Sequence, residues 1–234
     1  MLIPSLLLAV ALATGGCERL SDAAFGSKVR AYLLEHPEVI EEAAIALEQK
    51  KFAEAQQASK VLVSRHREAI ERDRRDYVAN PNGKITVTEF FDYHCGYCRQ
   101  AVPEVMRLIA ENPDVRFVFK EYPILSSDSR DLAAAALAAH KQGRYLNLYQ
   151  AFYGPGRLTP EAADQAIASA GLNPASIKTA AKDPAITRHL QDNARLAREL
   201  GIDGTPTFII GDAVIQGGDF ERLKLEIAKA RAKA

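Results

Sequence analysis

Two cysteines lie three positions apart at the junction of a strand-like and a helix-like segment, and this placement limits the fold more than any other feature. The motif is Cys95-Gly96-Tyr97-Cys98. Residues 84–93 before it are rich in β-branched and aromatic side chains, which is typical of a buried strand. After it, apolar residues recur at helical spacing up to residue 112, and residues 115–122 again favour a strand. The sequence therefore predicts an α/β fold with the cysteines at a strand-to-helix turn.

This position favours redox chemistry over metal binding. The free N–H groups and the positive dipole at a helix N-terminus stabilise a thiolate on the first cysteine. We therefore expect Cys95 to be the nucleophile and Cys98, one helical turn further on, to resolve the mixed disulfide. A structural zinc site takes four ligands, whereas this chain has three cysteines in all and five scattered histidines. We predict no metal site and no cofactor other than a redox-active Cys95–Cys98 disulfide.

The rest of the chain favours helices on both sides of this unit. Residues 25–78 favour helix with a break at Pro37, and their apolar stripe is so thin that it predicts packing on the main domain or against further copies of the chain. A hairpin over 207–216 and a helix capped by Asp219 are predicted near the C-terminus. We divide the chain into an export signal (1–16), an N-terminal helical segment (17–80) and a main domain (81–234) with an all-helical insert at about 130–200.

The first residues resemble a bacterial export signal. An apolar run from Leu2 to Ala13 is too short to span a bilayer and is followed by small residues. Cys17 comes next, in the position of the lipidated cysteine of bacterial lipoproteins. The alternatives are a buried helix in place of the signal, removal of Cys17 with the signal, or a free thiol at Cys17 in the mature protein.

With motifs further along the chain, the cysteine pair resembles the DsbA-like branch of the thioredoxin superfamily, in particular its members linked to suppression of copper sensitivity. The resemblance covers about residues 25–230 and implies a thioredoxin fold with a helical insert and an N-terminal helical extension. It also implies that the Thr205–Pro206 bond is cis and that the Thr205 backbone pairs with substrate, although an isolated Thr-Pro would be expected to be trans. The matching segments are Thr88–Cys98, Pro103, Lys120–Leu125 and Gly204–Phe208.

The resemblance assigns roles to four more residues. Glu89 matches a buried acid that moves protons to and from the inner cysteine, although a strand-end glutamate facing solvent is the alternative. His94 is expected either to stabilise the thiolate when protonated or to face solvent. Gly96 and Tyr97 fill the variable positions between the cysteines, which influence the redox potential.

The expected function is thiol-disulfide exchange with cysteine-containing exported proteins in the periplasm, with isomerisation or reduction preferred over oxidation. The resemblance also implies a membrane redox partner of the DsbB or DsbD type and a homo-oligomer, with a trimer as the expected form. A Cu(I) chaperone using both thiolates and a peptide-binding holdase are the alternatives. Lys plus Arg and Asp plus Glu number 30 each, so the charge balance indicates no nucleic-acid partner.

Overall fold

The computed structural model describes residues 22–233, so the predicted export signal (1–16) and Cys17 lie outside the described residues. The chain divides into two compact units, one up to Ala53 and one from Glu54 onwards. Helix α1 spans Asp22–Glu35 and helix α2 spans Glu38–Glu71, which confirms the predicted break at Pro37. None of the helices between residues 22 and 233 has the length and apolar character needed to cross a bilayer.

The N-terminal unit exposes most of its large apolar side chains. No residue of α1 is buried. The exposed set continues along the first half of α2, where its members lie at intervals of two to five residues. The side chains concerned are Phe25, Val29, Tyr32, Leu34, Ile40, Ile45, Leu47 and Phe52.

A five-stranded mixed sheet forms the centre of the second unit, with strand order β1-β3-β2-β4-β5. Strands β2 and β3 are parallel and buried along their whole length, although charged residues such as Glu89 and Lys120 interrupt their β-branched and aromatic runs. The other neighbouring strands are antiparallel. The strands are β1 (Tyr77–Ala79), β2 (Ile85–Phe91), β3 (Val115–Glu121), β4 (Thr207–Ile210) and β5 (Ala213–Gln216).

The sequence analysis was wrong about the end of the N-terminal helices. Helix α2 ends at Glu71, and Tyr77–Ala79 pairs with β3 as an edge strand instead of continuing the helix to residue 78. Asp76 ends a charged run, yet its side chain is buried and forms an ion pair of 2.5 Å with Lys120 on β3. A three-residue strand is too short for an alternating pattern, so only its tertiary pairing reveals it.

The remaining helices agree with the predicted arrangement. Five of them occupy residues 127–199 with no strand between them, which confirms the all-helical insert. Asp219 caps the C-terminal helix by accepting the backbone N–H of Arg222 at 3.0 Å, as predicted. The helices are α3 (Gly96–Glu111), α4 (Ser127–His140), α5 (Tyr145–Phe152), α6 (Pro160–Ser169), α7 (Pro174–Ala180), α8 (Pro184–Glu199) and α9 (Phe220–Arg231).

Two apolar clusters lie on opposite faces of the sheet. The larger cluster includes both cysteines of the motif and side chains of α3, the helical insert and α9. The smaller cluster places Val63 and Ile70 of α2 against the other face, where Phe90 of β2 lies. Side chains alternate along a strand. Glu89 therefore points away from Phe90, towards the face that carries the cysteines.

Candidate active site

Cys95 occupies the N-cap position of α3. Its backbone is extended, and its sulfur accepts the backbone N–H of Cys98 at 3.3 Å. The Cys95 N–H donates in turn to the carbonyl oxygen of Asp92, 3.0 Å away, which closes the turn between β2 and the helix. The first cysteine therefore lies where unpaired N–H groups of a helix converge, as the sequence predicted.

The surroundings of Cys95 favour its thiolate. Its pKa is lowered to about 5, chiefly by a hydrogen bond from the side chain of Cys98. Burial opposes this effect, whereas the Thr205 side chain and the backbone N–H groups of Cys98 and Tyr97 add to it. When protonated, the Cys95 thiol donates to the Thr205 carbonyl oxygen at 3.1 Å. Cys95 is therefore largely ionised at neutral pH.

Cys98 has the opposite character. Its side chain is fully buried, and burial raises its pKa far above that of an ordinary thiol. The hydrogen bond to Cys95 and the charge of Glu89 raise the Cys98 pKa further. Both cysteines are in the free thiol state in this structure. The pair therefore consists of one sulfur that is largely ionised, on a residue that keeps 7% of its accessible surface, and one protonated sulfur on a residue that keeps none.

Glu89 is fully buried in the middle of β2, opposite Phe119 and Phe208. The alternative of a strand-end glutamate facing solvent is therefore wrong. Burial raises the pKa of Glu89 to about 8, although the nearby Tyr149 hydroxyl lowers it in part. The Glu89 carboxyl group and the Tyr149 hydroxyl do not meet with hydrogen-bond geometry. Among the described residues, neither Glu89 oxygen nor the Tyr149 hydroxyl has a hydrogen-bond partner. Glu89 therefore carries a proton at neutral pH and lies near enough to Cys98 to affect its pKa.

The Thr205–Pro206 peptide bond is cis in the structure. Thr205 is half-buried beside Cys95, and Pro206 is buried just before β4 begins. The Pro206 carbonyl oxygen accepts the backbone N–H of Gly217 at 2.8 Å, which ties this loop to the residue after β5. The fold thus brings Thr205 to the nucleophilic sulfur across 110 residues of sequence. Its pairing with a substrate chain stays a prediction.

The remaining motif residues differ in how closely they approach the cysteines. His94 is half-buried and, together with residues of the helical insert, lines a cavity. It is absent from the groups that lower the Cys95 pKa most strongly, and its thiolate-stabilising role stays a prediction. Gly96 and Tyr97 are exposed, with Tyr97 retaining 72% of its accessible surface. The variable pair is therefore open to solvent.

Asp92 is a site residue that the sequence analysis missed. One of its carboxyl oxygens accepts the His94 N–H and the Ser129 hydroxyl, both at 2.8 Å. The other accepts the N–H groups of Ile124 and Leu125 at 2.9 and 3.0 Å. Four bonds to a buried carboxylate hold the cysteine turn, the loop after β3 and the start of α4 in one arrangement. The only signal in the sequence was an acidic residue at the end of a buried strand.

Among residues 22–233, no group of three or more His, Cys, Asp or Glu side chains is placed to hold a metal ion. The arrangement instead resembles the site of thiol-disulfide exchange proteins. A low-pKa sulfur lies at a helix N-terminus, a second sulfur lies one turn further in, and a cis-proline loop lies beside them. Fold and site together define a thioredoxin-fold protein with a redox-type cysteine pair.

Comparison with known families places the chain within this class. Residues 86–227 match the DSBA-like thioredoxin domain, and the chain belongs to that family. Residues 22–54 match a second family, described as the copper resistance protein ScsC N-terminal domain. This second match ends where the first compact unit ends, at about Ala53. Both parts of the predicted resemblance are confirmed.

Solved structures support the same assignment. Salmonella enterica Typhimurium BcfH has a TM-score of 0.75 and 31% identity, over 88% of this chain and 94% of that one. Proteus mirabilis ScsC in a transitional conformation has a TM-score of 0.67 and 28% identity, over 92% and 100%. A periplasmic thioredoxin-like protein from Salmonella enterica serovar Typhimurium has a TM-score of 0.64 and 27% identity, over 70% and 94%.

The curated relatives are matched over only part of their length. The thiol:disulfide interchange protein DsbA of Burkholderia cepacia is 26% identical over 151 residues, which is 66% of its length. Two Salinispora sodium/proton antiporters are 35% and 28% identical, over 12% and 25% of their lengths. These relatives support the domain assignment.

Proposed function

We propose that this protein exchanges disulfides with cysteine-containing exported proteins through Cys95 and Cys98. The observation that carries the proposal is the asymmetry between the two sulfurs. Cys95 has a pKa of about 5 at the helix N-cap, whereas Cys98 is fully buried and has a raised pKa. A nucleophile must be ionised and reachable, and a resolving thiol must stay inactive until a mixed disulfide has formed.

The chemistry follows from this asymmetry. The Cys95 thiolate attacks one sulfur of a client disulfide, so that a mixed disulfide forms and the other client sulfur leaves as a thiolate. Cys98 then loses its proton and attacks the Cys95 sulfur, which releases the second client thiolate and leaves a Cys95–Cys98 disulfide. The client disulfide is reduced by two electrons and the enzyme dithiol is oxidised by two. The reverse sequence oxidises a client dithiol.

Within this activity we favour isomerisation or reduction of client disulfides. In isomerisation, a second client thiolate displaces Cys95 from the mixed disulfide with no net electron transfer. A leaving thiolate with a pKa of about 5 makes that displacement fast. The match of residues 22–54 to the ScsC N-terminal domain adds support, because the same match accompanies exposed apolar side chains suited to assembly. A membrane partner of the DsbB or DsbD type would reset the redox state of the pair.

The proposal includes export to the periplasm and assembly into a homo-oligomer, with a trimer as the expected form. The apolar run at 2–13 supports export, and the similar Salmonella protein is described as periplasmic. Lipid anchoring through Cys17 rests on its position directly after Gly16. The exposed apolar residues of α1 and the first half of α2 support contact with further copies of the chain.

The test is a trapping experiment with purified full-length protein. In Cys98→Ala the mixed disulfide cannot be resolved, so client proteins should stay bound to Cys95 in gels run without reductant. Cys95→Ala is the matched control and should trap none. Wild-type protein should also restore activity to scrambled ribonuclease. If no adducts form and the wild type binds Cu(I) in a one-to-one ratio, the Cu(I) chaperone replaces this proposal.

A further inference from the structure

We propose that the cavity beside His94 is a specificity pocket that binds one aromatic side chain, preferably tyrosine, of the client polypeptide. This inference rests on the proposed function and names what the same site recognises. The cavity opens to the surface and has a volume of about 150 Å³. It lies between the cysteine turn and the helical insert, and its lining includes His94, Leu132, Ala135, Phe152, Ala163 and Ile167.

The volume selects the kind of occupant. Pockets for complete small-molecule ligands or cofactors occupy about 300–1,000 Å³. A cavity of about 150 Å³ with apolar walls accepts a molecule the size of benzene. The pocket beside His94 therefore matches one aromatic ring and is too small for a cofactor.

The position of the pocket ties it to the exchange reaction. His94 directly precedes the nucleophile, and Asp92 fixes its backbone through the 2.8 Å bond to the His94 N–H. A client joined to Cys95 in a mixed disulfide must run across this turn. A client residue close in sequence to the reacting cysteine can then reach the pocket. The Thr205 carbonyl oxygen lies 3.1 Å from the same Cys95 sulfur and is the second fixed contact point for the client chain.

Polar atoms at the pocket indicate a ring with a polar tip. His94 Nε2 and Asp164 Oδ1 are buried and have no hydrogen-bond partner among the described residues. The other Asp164 oxygen is occupied by Lys178 at 2.6 Å. Buried polar atoms in proteins are nearly always paired. A tyrosine hydroxyl would supply one donor and one acceptor, whereas phenylalanine would fill only the apolar volume.

The charge at the entrance adds a preference for the neighbouring client residue. Asp128 and Asp131 lie at the start of α4, belong to the lining and are exposed. Neither carboxylate forms an ion pair within 4 Å among the described residues, and Asp128 Oδ1 accepts a hydrogen bond from the adjacent Ser127 hydroxyl at 3.4 Å. A lysine or arginine next to the aromatic residue would complement these carboxylates. The preferred client segment therefore combines an aromatic and a basic residue close to its cysteine.

The experiment uses short peptides that carry one cysteine as a mixed disulfide with glutathione. The residues beside the cysteine are Ala-Ala, Lys-Ala, Ala-Tyr, Lys-Phe or Lys-Tyr, and the second-order rate constant for exchange with the reduced full-length protein is measured. Burial of an aromatic ring should make the Lys-Tyr peptide react about tenfold faster than the Lys-Ala peptide. Equal rates for these two peptides would overturn the pocket.

Two alanines of α6 provide a filling variant and its matched control. Ala163 lines the cavity and is buried, whereas Ala168 lies on the same helix and is exposed. Ala163→Leu should reduce the Lys-Tyr to Lys-Ala rate ratio to about one, while Ala168→Leu should leave it unchanged. A ratio that survives in a folded Ala163→Leu protein contradicts the proposal.

Asp131→Asn keeps the proposal testable should Ala163→Leu fail to fold, because Asp131 is exposed. It should reduce the preference for Lys-Tyr over Ala-Tyr about twofold, and an unchanged preference counts against the pocket. Exchange with glutathione disulfide alone reports separately on the proposed function. Loss of all exchange in the wild type would refute thiol-disulfide chemistry, whereas normal glutathione exchange with no peptide preference would refute only the pocket.

Discussion

Replacement of Cys98 by alanine or by serine tests what holds the Cys95 pKa at about 5. The largest single contribution is the hydrogen bond from the Cys98 side chain, and the backbone N–H groups of Cys98 and Tyr97 contribute less. Alanine removes the side-chain donor but keeps the backbone donors. Serine keeps both kinds of donor. We therefore expect the Cys95 pKa to rise in Cys98→Ala and to stay near the wild-type value in Cys98→Ser.

The expected magnitude determines the pH of the measurement. Near pH 5.5, a thiol with a pKa of about 5 is about 75% ionised, whereas an ordinary thiol with a pKa of about 8.5 is about 0.1% ionised. A less basic thiolate is a weaker nucleophile, which for this pKa difference costs about 40-fold in rate. The net advantage of Cys95 is then about 20-fold near pH 5.5 and disappears near pH 7. Only acidic conditions therefore distinguish, by rate, a Cys95 with a lowered pKa from a Cys95 with the pKa of an ordinary thiol.

The assay is the reaction of each variant with a pyridyl disulfide, followed by absorbance from pH 4 to pH 9. The protein should begin at residue 18, so that Cys95 carries the only thiol. The midpoint of the rate profile gives the Cys95 pKa, expected near 5 for Cys98→Ser and higher for Cys98→Ala. Identical midpoints in the two variants would refute the side-chain hydrogen bond as the main cause. A midpoint above 8 in both would refute the helix N-cap argument as well.

Three further predictions concern buried charge and assembly. The unfolded chain releases the Glu89 proton near pH 4.5, whereas the folded state holds it up to about pH 8. The stability of the wild type relative to Glu89→Gln should therefore fall as the pH rises through this range. Urea unfolding at several pH values measures this, and a pH-independent difference would contradict it. Lys120→Met leaves Asp76 buried without its 2.5 Å partner and should cost about 3 kcal/mol of unfolding free energy, against about 0.5 kcal/mol or less for exposed Lys84→Met. Deletion of residues 1–53 should convert an oligomer to a monomer in light scattering while exchange with glutathione persists, and a monomeric full-length chain would oppose this.

The central unit of the fold was predictable because its elements have strong local signals. Strands β2 and β3 are buried on both faces and are rich in β-branched and aromatic residues, which is a strong local signal for a strand. Three helices of the insert begin at a proline, and a glycine follows the end of every insert helix except α7 within three residues, so their limits fell within a few residues of those observed. The position of the cysteine turn could be predicted from the change of periodicity from strand to helix alone.

The features that were missed depend on contacts between distant parts of the chain. Strand β1 exists because it pairs with β3, about 40 residues later in the sequence. Asp92 matters because its carboxylate meets the N–H groups of Ile124 and Leu125, which no local pattern records. Even the second half of α2 belongs to the sheet-containing unit through Val63 and Ile70, although its sequence resembles the exposed half before it.

The order of the pKa values around the cysteines suggests how proton movement and exchange are linked. Cys95 ionises near 5, Glu89 near 8, and Cys98 only well above an ordinary thiol. At neutral pH, Glu89 is therefore protonated and adds no negative charge beside the Cys95 thiolate. Resolution of a mixed disulfide requires the proton of Cys98 to leave, and an ionised Glu89 is the buried group able to receive it. We expect Glu89→Gln to slow the attack of Cys98 on the mixed disulfide about 100-fold in stopped-flow measurements. The variant should also lose the increase in the rate of this step near pH 8, while the rate of the first attack by Cys95 is unchanged. Equal slowing of both steps would assign Glu89 to structure alone.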